Sequence, residues 1–286
     1  MRGLKLANCM LLVCLLAANS LAQSILAPSI KEIESPRHRA WDMLLTAAFS
    51  KRTSERANAV RALGLVRDNV QARQIAEGAL DDPKFEVRRA AATALGQMHA
   101  SDSIPKLEHA LSDRKIPVVM AAAEALRELN DYKSAYAVYY DLLTGERKAG
   151  DGLVARQLAT LKDPKQLAQI GVSEGLGFVP FASIGWDAWR AMHQKGPNPV
   201  RAVAATMLAH DPDPATERVL VKATNDKNWM VRAAAVEAIA QRGDPALLPH
   251  VAEKISDKKD RVRYCAAAAV IRLSAIEDSN TARNHR

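Results

Sequence analysis

Three residues near the middle of the chain have the spacing of a serine nucleophile. Gly171, Ser173 and Gly175 form a G-x-S-x-G motif, which serves catalysis when the serine lies on a sharp turn between a strand and a helix. The preceding residues, DPKQLAQI, have a helical pattern instead, and no strand pattern surrounds the motif. We therefore predict a glycine-rich helix exit here and no hydrolase site.

Metal ligands and cofactor motifs are the next candidates for chemistry. The seven histidines are scattered along the chain, at His38, His99, His109, His193, His210, His250 and His285. None has a second histidine three or four residues away, the spacing that favours a compact site on a helix. His210 and Asp213 lie in a loop that could hold an ion, but a helix-capping turn explains them more simply. We predict no metal, no cofactor and no catalytic residue.

Aromatic residues cluster in one segment, SEGLGFVPFASIGWDAWRAM, residues 173–192. Two interpretations stay open. The segment can be a structural plug between two runs of helices, because large aromatic side chains are usually core residues. It can also form a ligand-binding or catalytic site over residues 175–193. The candidate binding residues are Phe178, Phe181, Trp186, Trp189 and Arg190.

The rest of the chain is an internal repeat. Val-Arg pairs lie at 200/201, 231/232 and 262/263, which is a spacing of 31 residues, and Val87-Arg88 falls in the same frame. Each period contains two helical patterns. The first helices begin with Asp, Ser or Pro, and the second contain alanine runs that allow neighbouring helices to approach closely. This organisation predicts an all-α solenoid, and the low aromatic content of 5% agrees with it.

The repeat resembles the short HEAT-like repeats of phycobilin lyases over nearly all of residues 36–275. An aspartate in the turn and a Val-Arg pair at the start of the second helix carry the resemblance. It implies a structural ladder that ties each turn to the next, with no catalytic role. The ladder residues are Asp82, Arg88, Asp226, Arg232, Asp257, Arg263 and Arg201. Val119 and Lys195 depart from the pattern.

Two other HEAT-like families bear on function. Deoxyhypusine hydroxylases resemble this chain in their repeats but carry His-Glu dipeptides for a di-iron centre, and this sequence contains no such dipeptide. Alkylpurine DNA glycosylases bind damaged DNA on a concave face, but their residue pattern does not map onto this chain. Nucleic-acid binding through the basic residues, which give a net charge of +8, remains an alternative that we do not favour.

The predicted organisation has four parts. Residues 1–22 are a signal peptide, because Arg2 and Lys5 precede an apolar run and Ala22 precedes the cleavage point. Residues 23–35 are a linker, residues 36–275 form about seven helix pairs with an insertion at about 174–195, and residues 276–286 are a frayed polar tail.

From this organisation we predict an exported protein, periplasmic or secreted, that is not an enzyme. It is expected to bind a protein partner in the cell envelope through its concave face. A membrane surface is a possible partner at the insertion but is not predicted. Cys265 is the one cysteine left after cleavage and is expected to be a small buried side chain.

Overall fold

A computed structural model describes residues 35–144 and 198–284 of the chain. These two ranges contain twelve α-helices and no strand, which confirms the predicted all-α fold. The signal peptide, the linker and the aromatic insertion lie outside the described residues. The helices are α1 Pro36–Ala48, α2 Thr53–Leu63, α3 Val70–Gly78, α4 Phe85–Gln97, α5 Ile104–Ala110, α6 Ile116–Glu128, α7 Tyr132–Thr144, α8 Asn198–Met207, α9 Pro214–Ala223, α10 Trp229–Arg242, α11 Leu248–Ala252 and α12 Asp260–Asn284.

The helices form the predicted pairs. The complete pairs are α1/α2, α3/α4, α5/α6, α9/α10 and α11/α12, and we call each pair a unit. In the predicted numbering, α7 is the first helix of the fourth unit and α8 is the second helix of the fifth. The first helix of the last unit is short, because 3-10 turns at Pro245–Leu247 and Glu253–Ser256 flank α11.

Local sequence signals set the helix ends. The Asp213 carboxylate accepts a hydrogen bond from the Ala215 amide at 2.8 Å at the start of α9, and Asp244 does the same for Ala246 at 2.9 Å before α11. Such bonds satisfy amide groups that have no partner within the helix. Second helices exit through left-handed residues, with φ of 55° at His99 and 65° at Asn130, so the chain reverses sharply between units.

The alanine-rich second helices pack side by side and form the core. The helices α2, α4 and α6 contact in succession, as do α8, α10 and α12. Their alanines are almost completely buried. The approach is close enough to require glycine at one position, since a Cβ on Gly96 would lie 2.9 Å from the Ala125 Cα. The packing of α4 against α6 therefore requires glycine at position 96.

In the stack, the C-terminal half of the chain precedes the N-terminal half. Helix α12, which is the last in the sequence, packs against α1 and α2, which are the first. The second helices consequently form one row in the order α8, α10, α12, α2, α4 and α6. Every residue from Tyr264 to Ile271 of α12 is buried, as expected for a helix with neighbours on both sides. We call the contact of α12 with α1 and α2 the joint.

Polar contacts accompany the joint. Arg272 donates a hydrogen bond to the Leu65 carbonyl at 3.1 Å, and Arg37 forms an ion pair with Asp278 at 2.6 Å. Ile276 packs against the core. The prediction of a frayed tail after Ile276 is wrong as far as Asn284, because α12 continues to that residue. The helix continues because Ile276 and Asp278 have partners in the core and on α1.

A cross-linking experiment tests the joint. In a Cys265→Ala background, cysteines introduced at Arg37 and Asp278 should be joined by a short bismaleimide within one chain, since these side chains meet. Mass spectrometry of the digested monomer should find the peptide that links them. A matched pair at Arg37 and Lys133 should give no such peptide, because α7 lies beyond α6 in the row. Absence of the first link would contradict the joint.

Candidate interaction surface

One ladder arginine shows the geometry that holds neighbouring units in register. The Nε and Nη2 atoms of Arg88 donate to the two carboxylate oxygens of Asp113 at 2.6 and 2.9 Å. Its Nη1 donates to the Asp82 carbonyl in its own turn at 2.8 Å. The Asp113 Oδ1 also accepts the Lys115 amide at 2.8 Å. A planar guanidinium therefore fixes two successive turns at once.

The same arrangement recurs at the equivalent positions. Arg232 bonds Asp257 at 2.7 and 2.8 Å, Arg56 bonds Asp82 at 2.8 and 3.0 Å, and Arg201 pairs with Asp226. Arg56 was missing from the predicted set. It lies 32 residues before Arg88 in a segment that aligns with the repeat, so the sequence contained the signal for it.

The ladder carboxylate of Asp257 is ionised although little water reaches it. At Asp257, burial opposes ionisation, but hydrogen bonds from Arg232 and the Lys259 amide outweigh it and keep the pKa below the ordinary value. The Asp257 partner in turn raises the pKa of Arg232. Their side chains are 9% and 15% exposed, so the pair is shielded from salt and from competing water.

The ladder changes at two positions. Val119 occupies the arginine position of α6 and is buried. The third unit therefore has no ladder arginine to bind a following turn. At the joint, Arg263 donates to the Asp257 carbonyl at 3.1 Å and pairs with Asp260 of its own helix. The next turn in the row carries Ser50 in place of aspartate. The Ser50 hydroxyl accepts the Arg52 amide at 3.1 Å, as the aspartates do elsewhere.

Removal of one ladder arginine should lower the free energy of unfolding. Arg88→Ala leaves the Asp113 carboxylate partly buried without its cation, so we expect a loss of about 2 to 3 kcal/mol in the free energy of unfolding. Urea denaturation measures it. The control Arg114→Ala, at an exposed position of the same turn, should change stability by less than about 0.5 kcal/mol. A double variant that also carries Asp113→Ala should lose less than the two single losses combined, and strict additivity would contradict the ladder.

First helices are tied by a second set of contacts that the sequence analysis missed. The buried Glu77 of α3 accepts hydrogen bonds from Ser103 at 2.6 Å and from Lys106 at 2.8 Å in the next unit. Glu108 and Ser134 repeat the contact at 3.0 Å one unit later. Burial opposes ionisation of Glu77, but these donors and Arg73 outweigh it and lower its pKa. The recurrence of Glu and Ser at 31 residues was the available signal.

Polar side chains recur on the second helices five residues after the ladder position. They are Arg61 on α2, Thr93 on α4, Glu124 on α6 and Glu237 on α10, and all are half-buried. We call this surface the open face. It is chemically mixed, and adjacent helices interact across it. Arg261 of α12 forms an ion pair with Glu237, and the buried Cys265 thiol donates to the same carboxylate at 3.1 Å. Burial, as the main cause, raises the pKa of the Cys265 thiol.

Glu128 is the most perturbed carboxyl group near the open face. Burial and the neighbouring Glu124 raise its pKa to about 7, and the charges of Arg127 and Arg67 oppose that increase only in part. Its Oε2 lies over Gly96, 2.5 Å from where a Cβ would be. The equivalent residue one unit earlier is Gln97, so this position holds a neutral amide in one unit and an easily protonated acid in the next.

Glu128 should make stability depend on pH. Its folded pKa of about 7 exceeds its ordinary value of 4.5, so its contribution to stability is complete below pH 4.5 and is lost as the pH rises through 7. From about pH 5 to about pH 8, the free energy of unfolding, measured by urea denaturation, should decrease more in the wild type than in Glu128→Gln. Glu253→Gln, at an exposed position, should behave as the wild type. Parallel pH profiles of the wild type and Glu128→Gln would contradict the assignment.

The predicted aromatic site, Phe178, Phe181, Trp186, Trp189 and Arg190, lies outside the described residues. Among the described residues, no three His, Cys, Asp or Glu side chains are grouped so that they could hold a metal ion. Over residues 35–144 and 198–284, no helix combines the length and the apolar character needed to cross a bilayer.

Comparison with known proteins gives the following matches. A family model described as HEAT repeats matches residues 41–127 and 188–272, which is more than half of the chain. The complex of CpcE and CpcF of phycocyanin lyase from Nostoc sp. PCC7120 is 19% identical, with a TM-score of 0.33, over 86% of this chain and 94% of that one. No curated protein sequence matches.

Two further solved structures are similar. Human deoxyhypusine hydroxylase in complex with glycerol is 19% identical, with a TM-score of 0.34, over 84% of this chain and 97% of that chain. A computationally designed armadillo repeat protein for modular peptide recognition is 18% identical, with a TM-score of 0.26, over 80% of this chain and 97% of that chain.

Proposed function

Because the chain belongs to the HEAT-repeat family, we propose that it is an exported scaffold that holds an extended segment of a partner protein along its open face. The observation that carries this proposal is the continuous row of second helices across the joint. A stack of only three units would offer a short surface. The joint places α8, α10 and α12 in line with α2, α4 and α6, so one surface spans both halves.

The length of this row suits a peptide. Packed helices lie about 8 to 10 Å apart, so six second helices span about 40 to 50 Å. An extended polypeptide covers this distance with about 12 to 15 residues, at about 3.3 Å each. A partner of this size could contact every unit in the row, and each contact would add to the affinity.

The chemistry of the open face also supports a polypeptide partner. It presents guanidinium, hydroxyl and carboxylate groups on different second helices, at Arg61 on α2, Thr93 on α4 and Glu237 on α10. A backbone offers both donors and acceptors in every residue, so an extended chain can use such a mixed surface. The face carries both charge signs, which does not favour a uniformly charged polymer such as nucleic acid.

Export is part of the proposal and rests on the N-terminal sequence. The basic start, the apolar run and the small residues before Gln23 have the layout of a secretory signal peptide. The mature chain would then begin at Gln23 and meet its partner in the cell envelope.

Site-specific photo-cross-linking tests the proposal. A photoreactive amino acid at Thr93 or at Gln241 should give adducts with the same envelope protein. Thr93 lies on the open face, and Gln241 lies one helical turn after Glu237 on α10, on the other side of the joint. The control positions Lys133 and Lys222 are exposed on first helices and should give no adduct. Peptide mapping should place both contacts within one segment of the partner.

Three outcomes would contradict the proposal. Adducts of equal yield from Lys133 and Lys222 would show that the open face is not selective, and no adduct from Thr93 or Gln241 would remove the binding function. Loss of all adducts after residues 175–186 are replaced by a short linker, with helicity retained, would move the site to the aromatic insertion. The mass of the cross-linked chain tests export, since it should correspond to a start at Gln23.

A further inference from the structure

The ladder places the turns within the units along one edge of the stack. Arg56, Arg88 and Arg232 each bind the aspartate of the next turn and the backbone of their own turn, which holds these turns in register. At the joint, Arg263 binds the backbone of its own turn, and the packing of α12 against α1 and α2 sets the position of the next turn. Because the last unit stacks on the first, five turns follow one another in the row. We call this edge the turn edge, and its turns are residues 226–229, 257–260, 50–53, 82–85 and 113–116.

Every turn on this edge exposes basic side chains one or two residues after the aspartate position. All eight basic residues of these turns are exposed: Lys227, Lys258, Lys259, Lys51, Arg52, Lys84, Arg114 and Lys115. Two of them have contacts within the edge, since Arg52 pairs with Glu55 and the Lys115 ammonium lies 5.6 Å from the Phe85 ring centre. The sequence distributes these residues over more than 200 positions, and the fold gathers them.

The acidic residues of the same turns do not cancel this charge. Asp82, Asp113, Asp226 and Asp257 are each paired with a ladder arginine, and Asp260 pairs with Arg263. The ladder is thus neutral within itself. Asp81 and Glu86 flank the turn of the second unit, whose one lysine is Lys84, and they offset its charge. The excess of positive charge therefore lies at the other four turns of the edge.

Apolar rings accompany the basic residues. Phe49 lies next to the turn of the first unit and is 75% exposed. Trp229 begins α10 at the turn of the sixth unit and is half-buried. An exposed aromatic ring among lysines is unfavourable in water but suits the boundary between lipid headgroups and acyl chains.

We propose that the turn edge binds the surface of an anionic lipid bilayer. The turns are tips that project from one edge, so they can reach a surface without having to enclose the partner. The lysines attract anionic headgroups, and Phe49 and Trp229 insert into the interfacial layer. The edge lies apart from the open face, so this function is additional to partner binding and does not depend on it.

Spacing favours lipid over nucleic acid as the partner. Single strands bind through aromatic rings on which successive bases stack, in a charged groove. The turns of Phe49 and Trp229 are two units apart in the row, which corresponds to about 16 to 20 Å. Successive bases could not stack on both rings. A bilayer accepts separate insertions at any spacing.

Vesicle co-sedimentation tests the proposal with the full mature chain. Wild-type protein should bind phosphatidylcholine vesicles that contain about one third phosphatidylglycerol, should not bind pure phosphatidylcholine, and should be released by high salt. Substitution of Lys51, Lys84, Lys227 and Lys258 by Gln should weaken binding about a hundredfold. Phe49→Ser should weaken it about tenfold.

The matched control removes the same charge elsewhere. Substitution of Arg39, Lys133, Arg218 and Lys222 by Gln changes four exposed residues on first helices and should leave vesicle binding within about threefold. Circular dichroism confirms that each variant is folded. Equal weakening by both sets would show a dependence on net charge alone and overturn the proposal. Absence of binding to anionic vesicles would also overturn it. A third contrary result would be binding to duplex DNA, instead of vesicles, that is lost when the turn-edge lysines are replaced.

Discussion

The contact of α12 with α2 buries apolar surface from both ends of the chain. On one side lies a helix whose middle residues, Tyr264 to Ile271, have no water around them. On the other lies the first unit, formed by α1 and α2. A repeat array exposes an apolar face at each end unless a capping repeat with a polar outer surface covers it. Here the last unit covers the first, and the burial of both faces supplies the stabilisation that a capping helix supplies elsewhere.

The open face and the turn edge both depend on this contact. Without it, each would be divided into two short stretches. The ladder then transmits the order of the units to the surface, because each arginine binds backbone and carboxylate groups at fixed distances. Close packing of alanines sets the separation of the helices, and Gly96 permits the tightest approach. The register of the functional surfaces is therefore decided in the core.

Much of the fold could be predicted from the sequence, since helix period, caps and the 31-residue repeat are local properties. The joint could not, because periodicity defines the shape of a unit but not which outer faces meet. Two local hints existed. Ser50 stands at the aspartate position of its turn, and α12 is apolar on all sides from Tyr264 to Ile271. The clustering of the turn lysines could not be predicted either. Each lysine has no unusual feature in its own segment, and only the stacking order of the units brings them to one edge.

The joint also determines when the protein can become compact during its synthesis. Ribosomes deliver the chain from the N-terminus, so the apolar side of α2 emerges early and its cover, α12, emerges last. Contacts between residues more than 200 positions apart close slowly, because the intervening chain must lose much of its freedom. The nascent chain therefore keeps an apolar surface uncovered from the synthesis of α2 until that of α12. During this interval the surface is open to aggregation, which holding chaperones prevent by binding exposed apolar segments.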